Sequence, residues 1–277
     1  MMGLWIMAGV TFREAARRRI LWTALLAGSA FLALFGTGMH FQVKDFTRQS
    51  MSPFIRYQLE SGMVQVAFYA VNMLAVVMTI LTAVDTLSGE MASGTIQAIA
   101  TKPISRWQVL VGKWIGFAGM IAAYVAAMFG GVTAVGYFIG GVLPRNVLNG
   151  ALLVFLECLL LLTVTFACGT WFSTLTNGVI VLGLHGLAFI GGWIEQIGAM
   201  TSSPRLVTVG VVSSLFMPSE AIWRRASFEM QSSFTRALQF TPFSNASAPS
   251  AAMIGYAVAY LLVAMFIAIY HFHQRDL

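Results

Sequence analysis

With 277 residues, 58% of them hydrophobic and only 9% charged, the chain lacks the polar exterior of a water-soluble domain, where about a quarter of residues carry charge. This excludes an ordinary soluble fold and makes the bilayer the solvent, because lipid-facing stretches hold ionised side chains only at high cost. The formal charge of +6 does not indicate a nucleic-acid protein: Lys and Arg fall between apolar runs, where headgroup contact and topology explain them, not on one stripe with interleaved aromatics.

In chain order, residues 1–19 place Trp5, Ile6, Ala8, Gly9, Phe12, Ala15 and Ala16 opposite a basic end. This pattern predicts an amphipathic helix at the membrane surface, in preference to a simple extension of the first span. The apolar stretch that follows is longer than the core of a signal peptide and lacks a small-x-small cleavage site, so it is expected to stay in the mature protein. A helix needs about 20 residues to cross the hydrocarbon core, and six stretches of that length emerge, at 20–39, 63–84, 109–139, 151–172, 178–198 and 251–271. The expected fold is an all-α membrane protein, a single transmembrane domain over 1–277.

Arg17, Arg18 and Arg19 directly precede the first span, which puts the N-terminus in the cytoplasm. An even number of spans returns the C-terminus, with Arg275, to the same side. Eight basic residues fall on each side, but the outer segments are longer, so basic density favours this orientation. In the third span, Gly130-Gly131 is a natural place for a bend. Gly112/Gly116 and Gly136/Gly140 have the spacing that lets helices approach closely. Cys158 and Cys168 are almost three helical turns apart and read as small buried apolar residues, not a disulfide.

The polar stretch between the second and third spans, 85–108, is the most patterned. Met91, Thr95, Ile96, Ile99 and Ala100 predict a short amphipathic helix over about 90–100. Pro103 ends it, and Ser105 with Gln108 forms a capping-box pattern for the next helix. A lever for a soluble partner and a plain solvated connection both fit that pattern. The outer loop 199–250 is rich in Ser and Pro, and its apolar patch at 207–216 is too short to cross but long enough for a re-entrant or surface helix.

The run Ser88-Gly89-Glu90, Gly94-Thr95, Lys102-Pro103-Ile104-Ser105-Arg106 and Gly112-Lys113 resembles the signature of type-two ABC exporter permeases, as do 218–225 and the ending Gln274-Arg275-Asp276-Leu277. The resemblance implies that 85–108 holds the cytoplasmic coupling helix and that 1–19 is the connecting helix. It also implies that Glu90, Gly94, Thr95, Lys102, Pro103 and Arg106 contact a separate ABC ATPase subunit, which binds the ATP and Mg. A second permease copy or a paralogue completes the membrane part, in a plasma membrane of the bacterial inner-membrane type. Membrane lipids and an accessory extracytoplasmic protein are further expected partners, and nucleic acid is not. The family spans drug, antibiotic, lipid and polysaccharide exporters and a copper-site maturation permease, so the resemblance does not choose the cargo.

No phosphate-cradling loop is recognisable in the sequence, since Gly112-Lys113-Trp114 lacks the following Ser/Thr and the upstream glycine. No cofactor is therefore expected in this chain, and no enzyme activity of its own. Glu157 and His185 lie inside spans four and five. Glu157 either takes a cationic substrate or relays a proton, or it is a neutral hydrogen-bonded packing residue. His185 reads as a ligand or as a satisfied packing group. His271 and His273 would not face the same way on a helix, so no metal site is expected there. A membrane scaffold without transport and, more remotely, an intramembrane enzyme are the rival classes; neither HExxH nor a dyad at membrane depth supports the latter.

Overall fold

A computed structural model describes residues 2–17, 19–49, 51–92, 105–231 and 249–274. Among the described residues the chain is all helix: α1 (Met2–Arg17), α2 (Arg19–Arg48), α3 (Pro53–Ala92), α4 (Arg106–Gly140), α5 (Val147–Gly169), α6 (Thr174–Met200), α7 (Pro204–Phe216), α8 (Ser219–Met230) and α9 (Ala251–Gln274). Six of them, α2 to α6 and α9, are long and apolar enough to cross a bilayer. They coincide with the six stretches legible in the sequence; most run past the apolar limits, whereas α5 ends at Gly169, three residues short of the expected 172. The apolar part of α3, Pro53–Gly89, has 37 residues; at 1.5 Å per residue it is about 55 Å long and so outreaches a ~30 Å hydrocarbon core.

The spans are not equivalent. More than half of the most apolar window of α3, α4 and α5 is buried inside the protein, against 11% for α2 and 17% for α9. The first three form the core, where Phe68 stacks on Phe129 with ring centres 4.9 Å apart and Phe117 meets Phe166 edge-on. Helices α2 and α9 flank this core with most of their surface outward.

The first glycine pair has a partner within the chain. A Cβ on Gly112 would stand 2.7 Å from Met7 Cβ, and one on Gly116 would stand 2.8 Å from the Ala8 carbonyl and from Thr11 Cβ. The pair is the seat of α1, whose Met7, Ala8, Thr11 and Ala15 are buried while Trp5, Ile6, Val10 and Phe12 stay exposed. The second pair packs on Val64 and Met39. Helix α4 continues unbroken through Gly130-Gly131, and Gly131 is filled from outside by Leu32. Ser105 takes the N-cap position of α4 with extended backbone, but its hydroxyl makes no capping bond, so the capping box is not formed; its carbonyl accepts from the Gln108 amide instead, at 2.9 Å.

Helices α7 and α8 meet at 110° across a short break. Residue pairs along the α6–α7 contact run Gly198 with Leu206, Glu195 with Gly210 and Gly191 with Ser213, an antiparallel descent. It ends where Ser219 meets His185. Helix α8 then returns beside α3 and α5, with Ser227 accepting from Gln65 at 2.7 Å and Met230 filling the space over Gly150. The tip of this re-entrant pair, Met217 to Glu220, is buried. That burial satisfies the rule that irregular backbone is tolerated at membrane depth only inside protein. Pro218 suits the corner because it has no amide to leave unpaired.

Candidate functional site

Two regions draw together the polar groups of the chain. The first is the end of the bundle formed by the start of α4 and the end of α9. Arg106, at the start of α4, donates to the carbonyl of His273 near the end of α9 at 3.0 Å. Trp171 stacks edge-on to His271 at 4.5 Å, and Trp114 donates to Thr163 at 2.9 Å. The lower part of α3 is tied to the start of α6: Thr174 donates to Asp85 Oδ1 at 3.3 Å and shares a 2.9 Å hydroxyl contact with Ser88. Asn177 donates to the carbonyls of Val84 and Thr165, bridging α3 and α5.

Of the predicted ATPase-contact residues, Arg106 is therefore placed, and Glu90 belongs to the last turns of α3. Gly94, Thr95, Lys102 and Pro103, and with them nearly all of the helix expected over 90–100, lie outside the described residues. The described structure does supply both attachment points of that segment. One is bonded to α6 and the other to α9.

The second region is at mid-depth. Glu157 is ten residues into α5 and His185 eleven into α6, each about 15 Å from its helix start. Glu157 is fully buried, and neither carboxylate oxygen has a hydrogen-bond partner among the described residues. Asn72 of α3 lies beside it, yet none of their polar atoms meets hydrogen-bond geometry. Glu220, in the first turn of α8, is close enough to Glu157 for a direct electrostatic interaction and interacts likewise with Arg224, one turn on. Arg224 donates to Glu195 of α6 at 2.7 Å, both side chains being almost wholly buried. Gly192 makes this possible, since a Cβ there would stand 2.7 Å from the Glu220 side chain. His185 shares a 2.9 Å hydrogen bond with Ser219 through Nδ1. Tyr69 meets Trp223 edge-on at 5.3 Å above the same cluster.

Glu195 and Glu220 thus share the Arg224 guanidinium in a low-dielectric interior, and Glu157 lies next to Glu220. Among the described residues Arg224 is the one cation shown at these three carboxyl groups, and an ionised buried carboxylate without a counter-charge is costly. Sequence reading marks Glu157 and His185, notes 218–225 only as a family-like run without seeing that Ser219, Glu220 and Arg224 join a buried cluster, and misses Asn72 and Glu195. The signal for Ser219, Glu220 and Arg224 was the short apolar patch before Pro218, which predicts a re-entrant helix and so carries the following polar residues to membrane depth. Among the described residues no group of three His, Cys, Asp or Glu side chains is arranged to hold a metal ion. Cys158 and Cys168 are both free.

A six-span helical chain with a patterned polar connection after its second span has the architecture expected from the resemblance, and a family model described as ABC-2 family transporter protein matches residues 5–277. The chain belongs to the ABC-2 transporter family. Comparison with curated proteins gives no match. Membership makes this multi-pass membrane protein the permease of an ABC transporter.

Proposed function

We propose that the chain is the permease subunit of an ATP-driven exporter, with segment 90–106 as the contact for a separate ABC ATPase subunit that binds ATP and Mg. The observation that carries this reading is the anchoring of that segment. Its leading end is bonded through Asp85 and Ser88 to α6, and its trailing end through Arg106 to α9. A push on a segment held this way is delivered to two spans and not dissipated in a loop. The reading extends to a second permease copy or a paralogue, a bacterial inner-membrane location, both termini in the cytoplasm and α1 at the membrane surface, each supported by the family resemblance. The mid-depth cluster around Glu157 and His185 is the place for a cationic cargo or a proton.

Co-purification with the ATPase encoded beside the permease gene tests the reading, using Glu90→Lys and Lys102→Glu as charge reversals. The expected result is a stable complex that both reversals weaken, with loss of permease-dependent ATP turnover. A complex insensitive to both, with unaltered turnover, would overturn the proposed contact. If no ATPase binds at all, the chain is a scaffold and not a transporter subunit.

A further inference from the structure

An open groove of about 710 Å³ runs between α4 and α5 in the half of the membrane away from the termini. That volume is within the range of ligand pockets. One wall is a track of small residues, Ala126, Gly130 and Ala134, spaced four apart on one face of α4 and all exposed. The other wall is Val147, Leu148 and Ala151 of α5. The lining offers almost no hydrogen bonding: Thr133 donates its hydroxyl to the carbonyl of Phe129, and Tyr137 stands at the open end. From Ala126 to Tyr137 the groove follows eleven residues of helix, about 16 Å. That is about half of a ~30 Å hydrocarbon core, the depth of one leaflet.

Arg145 lies in the short connection between lining residues Leu143 and Val147. It is exposed, and no hydrogen bond or ion pair holds it among the described residues. A cation in the connection beside an apolar slot one leaflet deep, with an aromatic residue in the lining, complements a phosphate attached to an acyl chain. We propose that this groove is a binding site for one anionic phospholipid of the bilayer, with an acyl chain along Ala126, Gly130 and Ala134 and its phosphate on Arg145. The proposal does not depend on the ATPase contact. It concerns the opposite end of the molecule.

Gly130 allows a clean test, because a Cβ built there meets no atom within 4 Å. A larger side chain fills the groove without displacing the protein's own atoms. The full chain, purified in mild detergent, is incubated with phosphatidylglycerol or with phosphatidylcholine of the same acyl composition, and retained lipid is counted by native mass spectrometry. Phosphatidylglycerol should be retained about fivefold better, the worth of one Arg beside an anionic headgroup. Arg145→Gln should abolish that preference, and Gly130→Leu should remove retention of both lipids. Ala134→Leu repeats the block if Gly130→Leu fails to fold. Equal retention of the two lipids, or retention unaffected by a folded blocking variant, overturns the site. So does a blocking variant that leaves lipid counts unchanged and turns a dimer into a monomer, which would make the groove a seam between two copies.

Discussion

At mid-span a carboxyl group lowers stability unless a counter-charge or hydrogen bonds offset its removal from water, and Glu157 has neither from the described residues. Met at this position keeps the length and removes the polar group. Glu157→Met is expected to raise the melting temperature by about 3 °C, the size of a ~1 kcal/mol change in a chain of this length. Glu157→Gln keeps the shape but removes the acid, and in the ATPase complex it should raise the cargo concentration that half-stimulates ATP hydrolysis about tenfold, equivalent to ~1.4 kcal/mol. Calorimetry and a cargo titration read the two effects separately. A Glu157 that merely packs would give the first without the second. Its visibility in the sequence follows from contrast, since an acid in an apolar run stands out. Asn72 does not stand out, and Glu220 and Arg224 sit in a stretch as polar as any loop. Only the fold shows that the polar stretch is buried.

Among the elements, α1 shows what a spacing motif leaves undetermined. Gly112 and Gly116 announce a close helix approach, but the residues contain nothing that selects the partner, and the structure supplies α1 instead of a span of another copy. A branched side chain at Gly116 would press on a backbone carbonyl, which cannot rotate away as a side-chain end can. Gly116→Val should therefore release α1 from α4 at a cost of about 1–3 kcal/mol, the usual range for overpacking, while the spans stay assembled. Maleimide labelling of Thr11→Cys reports this directly: buried and slow in the parent, fast in the Gly116→Val background. Unchanged labelling would mean that α1 is held elsewhere. The six spans were legible because twenty-residue apolar runs have no other use in a chain this size. Their ends were not, since helix continues into polar sequence wherever a neighbour supports it, as α3 does down to the Asp85 and Ser88 contacts. The patch at 207–216 predicted a re-entrant helix by its length, but the return path through α8 depends on contacts distant in sequence, such as Gln65 with Ser227.

On the scale of the whole molecule, the question is how a force on one face reaches groups at mid-depth. The bonds of Thr174 to Asp85 and Ser88 join the α3 end of segment 93–104 to the first turn of α6. Eleven residues further along α6 is His185, bonded to the tip of the re-entrant pair, and beyond it Glu195, paired with Arg224. Helix α6 thus connects the attachment point to the mid-depth cluster as one rigid element, provided its first turn moves with α3. Thr174→Val removes both hydroxyl contacts at nearly constant volume. Two exposed or half-buried hydrogen bonds contribute about 1–3 kcal/mol together, too little to unfold a chain with this core but enough to loosen one junction. In the ATPase complex, spin labels on α4 and α6 are expected to report an ATP-dependent change of separation in the parent and none in the Thr174→Val variant, with ATPase binding and basal hydrolysis retained. A variant that still moves α6 would place the transmission on the other attachment, through Arg106 and the end of α9.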